Sequence, residues 1–225
     1  PLDDWLQEDI WSGEAELQGE DVAAGARLGI AEMIRSGATA FADMYFFMRE
    51  VADAVEEAGV RARLGHGCIT VGKDEAEARK DFREGLAFAR EHDGRADGRV
   101  RTMLTPHSLT TVDESHFREF VPEAREAGVP VHFHANETAG EVDPIVEAHG
   151  RRPLAWADDI GLLGPDTFLA HGVHVDATER ELLAERGTAV VHCPASNMKL
   201  ASGMAPVQAM LDAGVTVGLG TDGHT

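Results

Sequence analysis

Short runs of apolar and β-branched residues alternate along the chain with longer stretches whose apolar positions recur at helical spacing. In residues 20–36, for example, Val22, Ile30 and Met33 fall on one helical face, and Gly37 is a helix stop signal. The short runs predict strands at 38–45, 60–65, 100–105, 129–134, 167–171, 188–192 and 215–220. The longer stretches predict helices at 20–36, 51–58, 75–91, 113–127, 176–186 and 205–213, and a helical stretch that is broken at Arg152-Pro153.

This alternation predicts βα units and an α/β fold with a parallel sheet. A glycine joins helix to strand in the same way at Ala58-Gly59-Val60, Ala127-Gly128-Val129 and Ala213-Gly214-Val215. Such repeats predict a TIM-type (β/α)8 barrel with seven of its strands present, as one domain over residues 1–225. A doubly wound open sheet is the alternative, but no glycine-rich phosphate loop follows the first predicted strand.

The composition limits the classes of binding partner and the cellular compartment that we expect. The formal net charge is -20, which disfavours nucleic acid and anionic membranes as partners. An acidic, lysine-poor chain is typical of a high-salt cytoplasm, and an ordinary acidic cytosolic enzyme is the alternative. The two cysteines, Cys68 and Cys193, are far apart, which favours a reducing, cytoplasmic location. The chain begins at Pro1 with neither an initiator methionine nor a signal peptide, so we expect that it starts partway through a longer protein.

Polar side chains collect at the predicted carboxyl ends of the strands, where barrel enzymes place their chemistry. They are His107, His134 with Glu137, His171, His192 and Asp222. The interior of a barrel is normally filled with branched apolar side chains, so polar groups there need partners or a metal ion. The pattern therefore predicts a metal site at this end of the strands.

The segment from His132 to Glu137 carries the clearest chemistry. Side chains alternate along a strand, so His132 and His134 point to the same face, and Glu137 lies just past the strand end. A neutral imidazole binds Zn²⁺, and a nearby glutamate can move protons. The alternative is a pair of hydrogen-bonded core histidines with a solvated glutamate, and His132 could serve in packing alone. Asp222 could equally be a turn residue before glycine, and His171 a hydrogen-bonded core histidine.

These residues, taken in order, resemble the amidohydrolase superfamily. The resemblance is carried by His134-x-x-Glu137, His171 and Thr221-Asp222-Gly223. Residues 192–200 resemble the strand-7 segment of its 5-methylthioadenosine/S-adenosylhomocysteine deaminase and chlorohydrolase group, and residues 5–17, 39–46 and 106–108 look like the same group. The resemblance implies that the family's first strand, with its His-x-His metal pair, and its small terminal β domain are missing from this chain.

The resemblance also implies a role for each matching position. One divalent metal ion, Zn²⁺ by preference, would be bound by His134 and by Asp222, which would also accept a proton. Glu137 would be the proton shuttle that touches the purine ring, and His171 would hold the hydrolytic water. Glu14 and His107 would bind the ribose.

The implied activity is hydrolytic deamination of an adenosine-type nucleoside to the inosine analogue and ammonia. The substrates to consider are 5-methylthioadenosine, 5-deoxyadenosine, adenosine and S-adenosylhomocysteine. His66 stands where the deaminases of the last substrate carry an arginine for its carboxylate, which favours a smaller 5′ group. The alternatives are a chlorohydrolase or other amidohydrolase acting on a nitrogen heterocycle, and a non-catalytic barrel fragment. The expected partner is the small purine nucleoside, and a homo-oligomer is left open.

Overall fold

The computed structural model describes residues 11–14 and 16–223, without the side chains of residues 11 and 12. Its helices are α1 (Trp11–Glu14), α2 (Gly19–Ser36), α3 (Met48–Ala58), α4 (Glu75–His92), α5 (Glu114–Glu126), α6 (Ala139–His149), α7 (Pro153–Asp159), α8 (Ala177–Arg186), α9 (Pro194–Lys199) and α10 (Val207–Asp212). Its strands are β1 (Ala40–Tyr45), β2 (Arg61–Cys68), β3 (Val100–Thr102), β4 (Thr105–Pro106), β5 (Val131–Ala135), β6 (Thr167–His171), β7 (Ala189–His192) and β8 (Val217–Leu219). Within the described residues, none of the helices has the length and apolar character needed to span a bilayer.

The predicted strands are all found among the described residues, with differences in detail. The strand predicted at 100–105 is divided into β3 and β4, and both pair with β2. The short helix α9 was not predicted, although Pro194 occupies its first turn, where proline is well tolerated.

The chain divides into two compact units. The first comprises residues 1–67 and 83–104 and contains the parallel strands β1, β2 and β3 in that order. Helices α2 and α3 supply apolar side chains to its core, including Ile30, Met48 and Val55. Gly37 and Gly59 end these helices in the left-handed conformation, as the sequence pattern predicts.

The second unit comprises residues 68–82 and 105–225 and contains the parallel strands β5, β6, β7 and β8 in that order. Its largest fully buried side chains include Phe117, Phe133, Leu169 and Leu183. Because all four strands run parallel, their carboxyl ends lie along one edge of the sheet. The residues that follow these strands are therefore brought close together, and the candidate site lies there.

Candidate metal centre

Three of the predicted site residues converge at this edge of the second unit. His134 lies on β5, His171 ends β6, and Asp222 follows β8. One ligand atom from each of the three lies within 4.8 Å of the others. The geometry thus places together the two imidazoles and the carboxylate that the sequence assigned to separate strand ends.

The backbone is strained where the chain leaves these strands. Asn136, His171 and Asp222 have φ values of 53°, 74° and 46°, in the left-handed region. For residues other than glycine this conformation costs on the order of 1 kcal/mol or more, and it persists only where the surroundings enforce it. Such strain at the ends of three strands of one sheet is typical of a functional site.

A backbone carbonyl fixes the orientation of His134. Its Nδ1–H donates to the carbonyl oxygen of His107 at 2.7 Å, which leaves the lone pair of Nε2 for another partner. Burial, and then the neighbouring His171, lower the pKa of His134. The imidazole is therefore neutral at physiological pH, the form that binds a metal ion.

His171 is held in the corresponding way by a side chain. It is 1% exposed, and its Nδ1–H donates to Asn197 Oδ1 at 2.9 Å. Its Nε2 lies 3.4 Å from Glu137 Oε2 and 3.6 Å from Asp222 Oδ2. With Nδ1 protonated, a neutral His171 directs a lone pair at two carboxylates, an arrangement that calls for a proton or a cation among them. Imidazole nitrogen and carboxylate oxygen are ligands that suit Zn²⁺, so these residues fit a divalent metal ion.

Glu137 borders the cluster from the turn after β5. Its side chain is 11% exposed, and the Ser202 hydroxyl donates to Oε1 at 3.5 Å. The preceding residue, Asn136, is fully buried and donates from Nδ2 to the His174 carbonyl and to Glu179, both at 3.2 Å. The carboxylate is thus fixed beside the imidazole of His171, where it can take up and deliver a proton.

His107 and His132 are the other two histidines near β5. Burial, and then the neighbouring His134, lower the pKa of each to about 3, so both are neutral. The His107 ring lies 4.9 Å from that of His134, and its Nδ1 is 2.8 Å from the Thr111 hydroxyl. His132 donates to the Phe168 carbonyl at 3.1 Å and stacks on the Phe168 ring at 4.3 Å, so it serves in packing.

The predicted ribose residue Glu14 belongs to the first unit and is described there. It lines a cavity of about 590 Å³ together with Phe46, Phe88 and His66. Burial, and then a hydrogen bond with Glu14, raise the pKa of Tyr45. The resemblance that begins at Trp5 lies partly outside the described residues.

Sequence reasoning missed the residues that hold the site in place. Asn197 orients His171, Ser202 contacts Glu137, and Glu141 accepts a hydrogen bond from the Glu137 backbone. Asn197 lies in a short helix and Ser202 in a loop, where hydrophobic periodicity carries no signal. Glu141 lies in the first turn of α6, where acidic residues are common. Only the polar residues of the 192–200 stretch, which include Asn197, gave a hint in the sequence.

Neutral imidazoles and carboxylates at the carboxyl ends of parallel strands define the class of site used by metal-dependent hydrolases with α/β barrels. The chain belongs to the amidohydrolase family, whose model matches residues 1–225. It is 70% identical over 223 residues to a 5-methylthioadenosine/S-adenosylhomocysteine deaminase of Natronomonas pharaonis, covering 99% of this chain and 52% of that protein. It is 47% identical over 223 residues to a 5′-deoxyadenosine deaminase of Methanothermobacter thermautotrophicus, covering 99% of this chain and 52% of that protein.

A solved structure supports the same assignment of fold. The crystal structure of an adenosine deaminase from Xanthomonas campestris with bound zinc matches with a TM-score of 0.91 and 38% identity, covering 99% of this chain and 51% of that one. These findings confirm the predicted family and the predicted TIM-type fold, in place of a doubly wound sheet. The chain spans about half the length of the curated relatives it matches.

Proposed function

We propose that the protein containing this chain is a metal-dependent hydrolase that deaminates adenosine-type nucleosides. The observation that carries the proposal is the position of His171 Nε2, 3.4 Å from Glu137 and 3.6 Å from Asp222, beside the neutral imidazole of His134. The names of the relatives support this reaction, since they are deaminases of 5-methylthioadenosine, S-adenosylhomocysteine and 5′-deoxyadenosine.

His134 and Asp222 would hold the metal ion, and zinc is favoured because the Xanthomonas adenosine deaminase contains it. A bound divalent ion would lower the pKa of water in the site toward neutrality. Asp222 would accept the proton that this water loses. His171 would hold the attacking oxygen by a hydrogen bond, since its Nε2 lies within 3.6 Å of both carboxylates.

Glu137, in its protonated form, would donate its proton to the purine ring nitrogen and would afterwards accept the hydroxyl proton of the tetrahedral adduct. The proton held by Asp222 would pass to the amino group, which would depart as ammonia. Ring protonation makes the aromatic carbon open to attack, and the amino group needs a proton donor more than a chloride leaving group does. This requirement favours deamination over the chlorohydrolase alternative. His107 and Glu14 would bind the ribose hydroxyls, as their positions in the family pattern imply.

One residue bears on the 5′ group of the substrate. His66 stands where the deaminases of S-adenosylhomocysteine carry an arginine for its carboxylate, and histidine is a poor replacement for a bidentate guanidinium. We therefore propose a methylthio or deoxy substituent at the 5′ position.

The test is a screen of ammonia release by the full-length protein after incubation with zinc, together with its zinc content. Adenosine, 5′-deoxyadenosine, 5′-methylthioadenosine and S-adenosylhomocysteine would be compared. We expect the two compounds with small 5′ groups to have the highest kcat/KM. Chloride release from a chlorinated triazine, without ammonia release from any nucleoside, would support the chlorohydrolase alternative. The absence of both activities and of bound zinc would support the non-catalytic alternative.

One substitution tests whether Glu137 is the proton shuttle. Glu137→Gln removes the ionisable group and keeps the side-chain volume, so we expect turnover to be lost while zinc stays bound. Glu147→Gln, on the exposed face of α6, is the matched control and should leave the rate unchanged. Deaminase activity retained by Glu137→Gln would remove Glu137 from the mechanism.

A further inference from the structure

Glu141 has an unusual role at the start of α6. The N-cap residue of this helix is Thr138, whose side chain makes no capping hydrogen bond. The Glu141 carboxylate reaches back beyond Thr138, and its Oε2 accepts the backbone N–H of Glu137 at 2.8 Å. Its other oxygen, Oε1, is shielded from solvent and has no hydrogen-bond partner among the residues the structure describes.

Another helix in the same unit shows the ordinary arrangement. In α8, the third helical residue Glu179 accepts the backbone N–H of the N-cap residue Asp176 at 3.2 Å, which is a regular capping box. Glu141 occupies the corresponding position in α6, but its acceptor oxygen bonds one residue earlier. The peptide that it holds is that of the residue assigned above as the proton shuttle.

The turn that carries Glu137 is thereby fixed on both sides. On its amino-terminal side, Asn136 is strained at φ 53° and anchored through Nδ2 to the His174 carbonyl. On its carboxyl-terminal side, the Glu141 carboxylate accepts the Glu137 N–H. Glu141 is itself part of the first turn of α6, where its backbone N–H donates to the Thr138 carbonyl oxygen at 3.2 Å. Loss of the Glu141 acceptor would release one of these two restraints on the turn.

We propose that Glu141 is a positioning residue that fixes the peptide of Glu137 and so places the proton-shuttling carboxylate beside His171. This inference rests on the proposed function for its kinetic consequence, and on the hydrogen bond itself for its structural consequence. Burial raises the pKa of Glu141 to about 7, although the Glu137 N–H opposes the shift. A neutral side chain at this position can still accept the hydrogen bond, so the length of the side chain matters more for this contact than its charge.

Three substitutions at Glu141 separate the effect of side-chain length from the effect of charge. Glu141→Ala removes the acceptor, Glu141→Asp keeps the carboxyl group but is one methylene too short, and Glu141→Gln keeps an acceptor oxygen at full length. A displacement of about 1 Å at a reacting group can cost roughly 100-fold in rate. We therefore expect kcat to fall about 10- to 100-fold in the Ala and Asp variants, with KM changed by less than about threefold and zinc content unchanged. The Gln variant should retain kcat within about threefold.

Glu77 provides the matched control. It accepts the backbone N–H of Asp74 at 3.0 Å near the start of α4, and it is exposed. Glu77→Ala removes a comparable helix-capping contact away from the candidate site, so it should leave kcat at the wild-type value. A similar loss of kcat in Glu77→Ala would show a general effect of helix stability and would overturn the inference.

Hydrogen exchange of the full-length, zinc-loaded protein gives a readout that does not depend on activity. In Glu141→Ala and Glu141→Asp, the amide of Glu137 should exchange faster than in the wild type, while Glu141→Gln and Glu77→Ala should preserve its protection. If the wild-type protein released no ammonia, the proposed function would fail, and the exchange result would still decide the positioning role. Unchanged exchange in Glu141→Ala, full activity of Glu141→Asp, or a Gln variant as impaired as the Ala variant would overturn the inference.

Discussion

Replacing Asn197 with alanine should lower kcat while leaving the metal ion bound and the fold of the second unit intact. Asn197 is 1% exposed, and its Oδ1 accepts the Nδ1–H of His171 at 2.9 Å. Without this acceptor, the ring of His171 loses the contact that fixes both its tautomer and its rotation. His171 already has a strained backbone at φ 74°, so the side-chain restraint carries much of its orientation.

The expected size of the effect follows from the role of such supporting hydrogen bonds. A displacement of about 1 Å of a group that contacts the reacting atoms can cost roughly 100-fold in rate, which is about 2.7 kcal/mol. Leaving the buried Nδ1–H without an acceptor adds roughly 1 to 3 kcal/mol to the loss of folding stability. Both quantities are large enough to measure separately.

The assay is the steady-state rate of ammonia release by the full-length, zinc-loaded protein, together with its zinc content and urea unfolding of the zinc-free protein. Asn197→Asp retains an acceptor oxygen and should recover most of the lost kcat. Ser196→Ala is the matched control, because Ser196 is 3% exposed on the same helix and its hydroxyl has no hydrogen-bond partner among the described residues. A kcat of Asn197→Ala within about twofold of the wild type, or an equal loss in Ser196→Ala, would refute the reasoning.

Three further predictions concern stability. Arg152→Met should lower the free energy of unfolding by roughly 2 to 4 kcal/mol in urea titrations, because Glu179, only 2% exposed, loses its guanidinium partner at 2.9 Å. A variant as stable as the wild type would contradict this. Burial raises the pKa of Asp43 from 3.8 to about 6, so the folded state binds the extra proton and loses stability as pH rises through that window. The Asp43→Asn variant should therefore become more stable relative to the wild type as the pH rises from 4 to 7, with a gain in the free energy of unfolding of at most about 3 kcal/mol. A gain that does not depend on pH would be inconsistent with the raised pKa. Gly220→Ala would place a Cβ 2.8 Å from Val191 Cγ1 and should cost about 1 to 3 kcal/mol, which thermal unfolding would detect.

The sequence predicted the strands and the convergence of their ends because both follow from short-range rules. Apolar runs bounded by glycine mark the strands, and parallel strands bring His134, His171 and Asp222 to one edge of the sheet. Alternation also placed His132 on the same face as His134, and their rings lie 5.6 Å apart. The same rule could not reveal that His132 bonds to the Phe168 carbonyl, since this depends on the register of β5 with β6.

The supporting residues could not be predicted for a related reason. Asn197 lies in a helix of six residues, which is too short for periodicity to mark. Glu141 is an acidic residue in the first turn of a helix, a position where acidic residues are common for electrostatic reasons alone. Its distinctive feature is the peptide that it contacts, and that contact depends on how the chain turns after β5.

The most direct test of the central claim is anomalous diffraction at the zinc absorption edge from crystals of the full-length protein. The account predicts a single strong peak within coordination distance of His134 Nε2 and a carboxylate oxygen of Asp222, with the Glu137 side chain beside it. A protein that deaminates nucleosides yet shows its anomalous peak elsewhere, with these side chains bound only to each other, would contradict the account.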